Sequence, residues 1–534
     1  MHLGSKKQIV KKWSPEHGTL LSVRNLILLR KKIASVSAGL SGWGKMVGKG
    51  TTKRIKELEH TLVSLRQNAV TEDLKTRELR AKDELTKLIS QEEFFWKQRS
   101  KDLWLKEGDR NSRFFYAKAS RRSQINSIRR LRNPDGTWTD SVEGVQQTIV
   151  EYFQSLFTST RPLSDDIQRG VEALPVVVDT NLAETLQQPF TEDEVKKALF
   201  LMSPLKSPGP DGLPPVFFHK FWHIVKSDVV RCVLKFLNHR ILPSGFNDTN
   251  IVLIPKCKQP ETLAQFRPIS LCNVVYKIAS KTIANRLKPW LDSIISPSQS
   301  AFVLGRIITD NVLLAFELNH FLNTQSKERK NFMNLKLDIS KAYDRVEWSF
   351  LQRILSKLDF PTSFIDLIML CITSVKYSFV LSGIQFGSVI PQRGLRQGDP
   401  LSPYLFLLCT ESLSSLFRSA DERGTIPALR FAVEPLRCPI FLFADDTMLF
   451  CPANSITVGH VRRTLEIYKK ASGQEINLCK SSAAFSRNTP RELRSQLAES
   501  LGIRLENKHE VYLGLPAVAF RSKKALFAAL KDRI

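Results

Sequence analysis

The sequence lacks an apolar run long enough to cross a membrane. The stretch 20–29 is short and is interrupted by Arg24, whereas a membrane-spanning helix needs about 20 apolar residues. No secretory signal sequence is visible either. We therefore expect an intracellular protein, nuclear or cytoplasmic, with no membrane partner.

The sequence also lacks the cysteine spacings of zinc sites and disulfide scaffolds. No two of its eight cysteines form a CxxC pattern, and none lies at zinc-knuckle distance from a histidine. We interpret the scattered cysteines as mostly buried, reduced thiols in an intracellular protein. The eight are Cys232, Cys257, Cys272, Cys371, Cys409, Cys438, Cys451 and Cys479.

Acidic residues are scarce relative to basic ones. The 534 residues include 79 Lys and Arg against 52 Asp and Glu, a formal net charge of +27. Residues 1–132 hold 31 of these cations and 13 of the acids, a net of +18, so two thirds of the excess lies in the first quarter. Such an excess suggests a polyanionic partner such as nucleic acid. Solvated, lysine-rich helices are the alternative explanation.

The N-terminal region has a helical pattern. Residues 53–105 carry leucines at helical spacing, which predicts one or two long amphipathic helices. Aromatic and basic residues then interleave at 94–99 and 113–118. This pattern suits stacking on bases and contact with phosphates, but core aromatics flanked by surface charge would look the same. Asn133-Pro134-Asp135-Gly136 predicts a turn between short strands.

The rest of the chain predicts an α+β fold. Residues 158–190 have no clear period and several prolines, and we interpret them as a linker. Thr191 and Glu194 form a capping box that starts a helix. From Ile251 onward short apolar runs alternate with helical stretches. The final stretch 525–534 still has helical character, so we expect a truncated C-terminus.

Two segments place acids where chemistry is expected. Residues 334–338 alternate as a strand that ends at Asp338, and a helix is predicted from Ser340. Residues 439–450 hold two apolar runs around Asp445 and Asp446, which predicts a β-hairpin with the acids at its tip. A polar turn is the alternative, because Asp is a common turn residue.

Adjacent carboxylates in an apolar hairpin need a countercharge, because burying uncompensated charge is costly. A divalent cation supplies one, and three carboxylates on neighbouring strands can hold two Mg²⁺ ions roughly 3.5–4 Å apart. Asp338, Asp445 and Asp446 therefore predict a metal site for nucleotidyl transfer, with Mg²⁺ or alternatively Mn²⁺ as the cofactor.

At these residues the chain resembles the reverse transcriptases of non-LTR (LINE-type) retrotransposons, most closely those of plants. The resemblance runs from about Glu92 to the C-terminus. It is carried by FFWKQRS at 94–100, WLKEGDRN at 104–111, SPGPDG at 207–212, RPISL at 267–271, SQSAF at 298–302, RGLRQGDPLSP at 393–403 and YLGLP at 512–516.

The resemblance implies a right-hand polymerase fold, with fingers and a palm built on antiparallel sheet and a partial thumb, after a basic, mainly α-helical N-terminal region. The expected parts are 1–157 (N-terminal region), 158–190 (linker), 191–235 (N-terminal fingers extension), 236–518 (fingers and palm) and 519–534 (truncated thumb or connection). The expected partners are template RNA, a DNA primer or target DNA, and dNTPs. The oligomeric state stays open.

The resemblance also implies roles for individual residues. Asp338, Asp445 and Asp446 correspond to the metal-binding aspartates. Tyr343 resembles the steric gate that excludes a ribose 2′-OH, although a core tyrosine on a helix face is the alternative. Gln397 and Gly398 resemble the loop beside the incoming nucleotide, with an ordinary helix-entry loop as the alternative.

Three basic residues complete the implied site. Lys256 and Arg267 resemble the fingers residues that grip the triphosphate, and Arg suits bidentate phosphate contact. Lys480 resembles the lysine that protonates the leaving pyrophosphate. Surface lysines are common, so Lys256 and Lys480 could equally be solvated side chains.

Other family features are missing, since nothing resembles an endonuclease, a Cys/His knuckle or an RNase H domain. A catalytically silent nucleic-acid-binding remnant therefore competes with an active enzyme. A group II intron-type maturase shares the palm but fits residues 393–403 less well. Two weaker motifs are set aside: residues 44–51 lack the order of a phosphate-binding loop, and His219 and His223 lack the intervening Glu of a zinc protease.

Overall fold

The computed structural model of the protein describes residue 13 and residues 24–67, 71–100, 112–324, 330–429, 440–509 and 511–516. The chain divides into two units. The first comprises Met1–Glu151, Val195–Tyr276 and Tyr377–Ser388, and the second comprises Tyr152–Glu194, Lys277–Lys376 and Val389–Ile534. Both combine helices with sheet, which confirms the α+β prediction. No described helix has the length and apolar character that a membrane crossing requires.

The elements of the first unit, with those that run across its boundaries, alternate between long helices and short strands. In chain order they are α1 (Arg24–Gln67), α2 (Glu72–Ser100), α3 (Ser112–Ile125), β1 (Leu131–Arg132), β2 (Trp138–Thr139), α4 (Val142–Phe157), α7 (Glu192–Phe200), α8 (Pro215–Lys220), α9 (Trp222–His239), β3 (Asp248–Pro255), β4 (Phe266–Cys272), β7 (Lys376–Leu381) and β8 (Ile384–Val389).

The two long N-terminal helices pack against each other. Leu58 and Leu62 of α1 are buried with Ala81 of α2, and Leu85 and Leu88 lie against them. This contact confirms the amphipathic helices that leucine spacing predicts. The interval 44–51 lies inside α1, which agrees with setting aside a phosphate-binding loop there.

The first unit also contains a two-stranded hairpin and a four-stranded sheet. The turn predicted at 133–136 is confirmed, since it joins β1 to β2 and Gly136 has a φ of +90° that favours glycine. Four further strands form a sheet in the order β4-β3-β7-β8. Within it, β3 and β4 run antiparallel with Asn250 opposite Leu271.

The second unit is built on a five-stranded sheet in the order β13-β12-β5-β10-β9. Its strands, including those of two separate pairs, are β5 (Phe332–Leu337), β6 (Ile339–Ser340), β9 (Ile440–Phe443), β10 (Asp446–Pro452), β11 (Glu475–Ile476), β12 (Ser482–Phe485), β13 (Arg504–Leu505), β14 (Val511–Tyr512) and β15 (Leu515–Pro516). Its helices are α5 (Ser164–Val171), α6 (Thr180–Gln187), α10 (Val274–Leu287), α11 (Leu291–Ile294), α12 (Ile308–Thr324), α13 (Trp348–Lys357), α14 (Thr362–Thr373), α15 (Ser402–Glu422), α16 (Ser455–Ser472) and α17 (Arg491–Leu501).

The core of the second unit lies along its sheet and its central helix. Sixteen of the 21 residues of α15 are buried. On the sheet, Phe441, Met448 and Phe450 pack with residues of α12 and with Tyr512. Burial on this scale holds the strands that carry the predicted acids in a fixed register.

Two sequence predictions are wrong at the level of secondary structure. Residues 158–190, interpreted as a linker without a clear period, contain α5 and α6, which occupy 16 of the 33 residues and bury Val171 and Leu182. Each helix has only eight residues, too few for a helical period to stand out. The helix expected from Ser340 is also wrong, since β6 and a turn precede α13.

The capping box at the start of α7 is confirmed. The backbone N–H of Thr191 donates to Glu194 Oε2 at 2.9 Å, and the Glu194 N–H donates to Thr191 Oγ1 at 3.4 Å. The motif at 104–111, Cys438 and the expected thumb at 519–534 fall outside the described residues.

Candidate active site

Asp338 stands where β5 ends and is held there through its backbone. Its N–H donates to Ser481 Oγ at 3.1 Å. Its carbonyl accepts from the Asn477 N–H at 2.8 Å. The loop that follows β11 therefore fixes the position of Asp338 from both sides.

Asp445 and Asp446 lie at the turn of a β-hairpin, as the sequence predicts. β9 and β10 pair antiparallel, with Asp446 opposite Phe443, so Ala444 and Asp445 form the tip. Ala444 has a φ of +56°, a left-handed conformation that costs a non-glycine residue about 1 kcal/mol or more. The surrounding structure must hold this turn in place.

Strand pairing brings Asp338 and Asp446 to one edge of the sheet. β10 pairs antiparallel with β5 as well as β9, and Thr447 stands opposite Leu337. One step further in the same register, Asp446 faces Asp338. Two neighbouring strands thus carry acids to adjacent positions, with Asp445 exposed at the tip beside them.

The electrostatics of this edge favour added positive charge. Burial raises the pKa of the Asp446 carboxyl, and the negative charges of Asp445 and Asp338 raise it further. Lys336 lowers the pKa in part. The net upward shift means that burial and the repulsion of the two neighbouring acids outweigh the attraction of Lys336 for the ionised Asp446 carboxyl.

A divalent cation fits the chemistry of these donors. Carboxylate oxygens are the ligands that Mg²⁺ prefers, and a bound cation reverses the repulsion that raises the pKa of Asp446. In the part of the chain that the structure describes, no group of three or more His, Cys, Asp or Glu side chains is already arranged around a metal position.

Tyr343 lies close to the acids but not on a helix. It belongs to the turn between β6 and α13, which removes the alternative of a tyrosine on a helix face. Its ring stacks on Phe406 with centroids 4.5 Å apart and planes 12° apart. Burial raises the pKa of the Tyr343 hydroxyl, and the charge of Asp445 adds to that shift.

The loop that carries Gln397 and Gly398 lies against the Tyr343 turn. The Leu395 N–H donates to Tyr343 O at 2.7 Å, and Gln397 Nε2 donates to Asp344 Oδ1 at 3.1 Å. Gly398 has a φ of +116°, which an L side chain rarely adopts. The structure therefore brings together two site elements that are more than 50 residues apart in sequence.

Gly394 shows how closely this loop approaches the turn. A Cβ atom at Gly394 would lie 2.7 Å from Asp344 O, and its φ is +97°. Its N–H donates to Val346 O at 2.8 Å. Any side chain here would push the loop away from Tyr343.

Buried ion pairs anchor the same loop, and sequence reasoning did not foresee them. Arg393 pairs with Glu347 at 3.2 Å, and Arg396 pairs with Asp399 at 2.6 Å. Glu347 also accepts from the hydroxyl of Ser159 at 2.6 Å and from the N–H of Thr160 at 2.9 Å. Such satisfied pairs fix position, because breaking one would leave a buried charge without its partner.

Gln299 is a further residue that sequence reasoning missed. It is 1% exposed, its Oε1 accepts from the Ala444 N–H at 2.9 Å, and its Nε2 donates to Ala444 O at 3.4 Å. The flanking backbone bonds to both polar groups of Leu442, at 2.8 and 3.1 Å. Gln299 thus holds the hairpin tip. Gln299 lies in the SQSAF motif. That motif contributes to the family resemblance, but the resemblance did not imply a role for Gln299.

The three basic candidates occupy two different units. Lys480 is exposed in the loop that holds Asp338. Lys256 and Arg267 belong to the first unit, where both are exposed near one end of the β3–β4 pair. Lys256 Nζ donates to Ala264 O at 3.2 Å.

The two histidines set aside as a zinc motif do not share a helix, since His219 lies in α8 and His223 lies in α9. His219 Nε2 lies 2.9 Å from Leu199 O, and its ring packs on Phe200. Both observations agree with a packing role for His219.

The second unit thus has acids on adjacent antiparallel strands, beside a glycine-containing loop and a tyrosine. Carboxylates in such an arrangement are typical of enzymes that transfer nucleotides. Comparison with known proteins indicates which class of nucleotide-transferring enzyme the domain resembles. Residues 254–516 match the family described as reverse transcriptase (RNA-dependent DNA polymerase).

Two of the similar proteins are named as products of mobile elements. The chain is 33% identical over 391 residues, 72% of its length, to an uncharacterized protein of transposon TX1 from Xenopus laevis. It is 26% identical over 311 residues, 58% of its length, to a Pol polyprotein of the R2DM element of Drosophila melanogaster. A 69-residue segment, 13% of the chain, is 56% identical to an uncharacterized mitochondrial protein of Arabidopsis thaliana.

Residues 254–516 therefore form a reverse transcriptase domain similar to those of non-LTR retrotransposons. The chain spans only part of each relative: 29% of the Xenopus protein, 27% of the Drosophila polyprotein and 57% of the Arabidopsis protein.

Proposed function

We propose that the protein is an RNA-directed DNA polymerase of a LINE-type element, which adds dNTPs to the 3′-hydroxyl of a primer on template RNA. The observation that carries the proposal is the β5–β10 register, which brings Asp338 level with Asp446 beside Asp445. The segment identity to the Arabidopsis protein supports a plant-type element. The right-hand division and its boundaries are part of the same proposal.

Asp338, Asp445 and Asp446 would hold Mg²⁺, or alternatively Mn²⁺. When bound, such ions lower the pKa of an attacking hydroxyl and stabilise the charge of the leaving pyrophosphate. Burial and mutual repulsion of the carboxylates, seen in the raised pKa of Asp446, support this assignment.

The other candidates bind and orient the nucleotide. Tyr343, held by its stack on Phe406, would exclude a ribose 2′-OH and so select dNTPs. Gln397 and Gly398 would pack beside the incoming base. Lys480 would donate a proton to the leaving pyrophosphate. Template RNA, primer or target DNA and dNTPs are the corresponding partners.

Lys256 and Arg267 would bind the triphosphate. Both side chains are exposed near the same end of the β3–β4 pair, so they are accessible to a ligand. The guanidinium of Arg267 suits two parallel hydrogen bonds to phosphate oxygens.

Primer extension on a poly(rA)/oligo(dT) template with Mg²⁺ and dTTP tests the proposal. We expect the wild-type chain to incorporate dTTP and Asp445→Asn to lose at least about a hundredfold in rate, because one charge of the site is removed. Asp366→Asn, which changes an exposed aspartate of α14, is the matched control and should retain activity.

Equal incorporation by the wild type and Asp445→Asn would overturn the proposed mechanism. Absence of incorporation by a folded wild-type chain, combined with salt-sensitive RNA binding, would favour the catalytically silent remnant instead.

A further inference from the structure

The basic residues that the structure describes in the N-terminal region lie on two surfaces: the helices α1 and α2, and the segment that contains α3. On α1 and α2 several cations are paired with acids: Arg54 contacts Glu84 at 3.0 Å, and Arg66 contacts Glu78 at 2.8 Å. Lys87 likewise contacts Asp83. These pairs neutralise part of the charge on the two helices, which together hold 17 basic and 9 acidic residues.

The segment 112–132, which contains α3, is different. It has seven basic residues and no acidic one: Arg113, Lys118, Arg121, Arg122, Arg129, Arg130 and Arg132. All of these except Arg113, whose side chain is not described, are exposed. In the described part of the chain, Arg121 and Arg122 form no ion pair.

A groove lies along the exposed face of α3. It has a volume of about 560 Å³ and is lined by Ser100 of α2 and by Phe114, Ala117, Lys118, Arg121, Arg122 and Ile125 of α3. Positions 114, 118, 121 and 125 follow helical spacing and share one face. We call these seven residues the α3 groove.

An aromatic ring is exposed in the same groove. Phe114 is 41% exposed. The Lys118 ammonium stands 5.4 Å from the centre of the Phe114 ring. An accessible ring next to several cations can stack on a base while the cations contact phosphates.

We propose that the α3 groove binds single-stranded RNA, at a site separate from the aspartates of the second unit. Charge complementarity and the exposed Phe114 ring argue for a single strand, because bases in a duplex are not available for stacking. The choice of RNA over DNA rests on the proposed function, in which RNA is the template.

Fluorescence anisotropy with a labelled, unstructured oligouridine tests the proposal, using the full chain with Asp445→Asn to separate binding from synthesis. The groove variant Lys118→Gln, Arg121→Gln and Arg122→Gln removes three cations. Single-stranded binding loses about 0.7 of a unit in the slope of log K against log salt for each phosphate contact. We therefore expect the slope to fall by about two units.

The matched control removes the same charge from the paired surface, as Arg54→Gln, Arg66→Gln and Lys87→Gln. It should leave the slope unchanged. Equal loss of slope in the two variants would overturn the proposal, because RNA binding would then depend on the total charge and not on the α3 groove. A charge-preserving variant, Lys118→Arg with Arg121→Lys and Arg122→Lys, should bind like the parent and shows that the groove tolerates substitution.

Phe114→Leu tests stacking separately, because it retains apolar volume and removes the ring. We expect about fivefold weaker binding or more. Unchanged affinity would show that the ring takes no part and would overturn the stacking element of the site. Competition by duplex RNA or by anionic lipid vesicles as strong as by oligouridine would overturn the choice of a single strand, and stronger binding of oligodeoxythymidine would overturn the choice of RNA.

The outcomes for the two proposals are distinguishable. Groove-dependent RNA binding without primer extension would leave the α3 groove standing and remove the proposed polymerase. If the chain extends primers but the groove variant binds RNA as the parent does, the proposed polymerase stands and the α3 groove proposal is overturned.

Discussion

At the scale of single residues, the candidate site depends on how Asp446 is surrounded. Burial raises the pKa of its carboxyl, and Asp445 and Asp338 add to the shift, while Lys336 opposes it only in part. Partial burial of a carboxylate beside two other acids is unfavourable in a purely structural hairpin. The same surroundings are suited to a cation, which would convert mutual repulsion into shared coordination.

Tyr343 gives a prediction about substrate choice. Tyr343→Val removes the ring that stacks on Phe406, so we expect incorporation of UTP relative to dTTP to rise by about tenfold or more, a typical effect of reshaping an apolar pocket. The ratio of kcat/KM for the two nucleotides on poly(rA)/oligo(dT) measures it.

Tyr343→Phe is the control for that prediction. It keeps the ring and its stacking contact and removes only the hydroxyl, so the preference for dTTP should persist. If Tyr343→Val discriminates as well as the wild type, Tyr343 is a packing residue and not a gate.

At the scale of elements, the hairpin between β9 and β10 is positioned by a segment far away in sequence. Gln299 bonds to both backbone polar groups of Ala444, and the backbone on either side of it bonds to Leu442. These contacts hold the left-handed turn at Ala444, which is unfavourable by itself. Gln299 is therefore a positioning residue for Asp445 and Asp446.

Gln299→Leu should reduce kcat by about tenfold or more and leave KM for dTTP nearly unchanged, because the acids shift while the nucleotide contacts remain. It should also lower stability by about 1–3 kcal/mol, the cost of leaving a buried N–H without an acceptor. Primer extension and thermal unfolding measure the two effects.

Gln352→Leu, at an exposed position of α13, is the matched control and should change neither quantity. A lower melting temperature with unchanged kcat, assayed well below the transition, would mean that Gln299 supports the fold without positioning the aspartates.

At the scale of the whole molecule, the charge and the chemistry are placed apart in the sequence. The excess of basic residues lies mostly in 1–132, whereas Asp338, Asp445 and Asp446 all belong to the second unit. Part of the charge of α1 and α2 is neutralised by their own acids. The net charge of the region therefore overstates its phosphate-binding surface, and the α3 groove contributes Arg121 and Arg122, which form no ion pair with the residues that the structure describes.

A buried histidine predicts how the stability of the second unit depends on pH. His509 is 2% exposed, and burial lowers its pKa from 6.5, although Asn334 O and Glu506 raise it in part. Lys336 adds to the lowering. The unfolded chain therefore takes up a proton at a higher pH than the folded one, so stability should fall as the pH drops below about 6.5.

Urea unfolding midpoints across that pH range measure the effect. His509→Asn should flatten the dependence, and His320→Asn, at an exposed position of α12, should leave it as in the wild type. A wild-type midpoint that does not change below pH 6.5, or an unaltered slope in His509→Asn, would contradict the prediction.

The sequence by itself determined the local features. The alternation before Asp338, the apolar runs around Asp445 and Asp446, the turn at 133–136 and the capping box at Thr191 depend on neighbours within a few residues, and each of these four elements was predictable for that reason. Two short helices were missed in 158–190 because eight residues give too weak a period.

Only the tertiary structure decided which distant residues meet. The register that sets Asp446 beside Asp338, the contact of Gln299 with Ala444 and the buried pairs of Arg393 and Arg396 all join segments far apart or hidden in a core. Their partners are chosen by packing and by the cost of leaving buried polar groups unsatisfied, and that selection has no local pattern in the sequence.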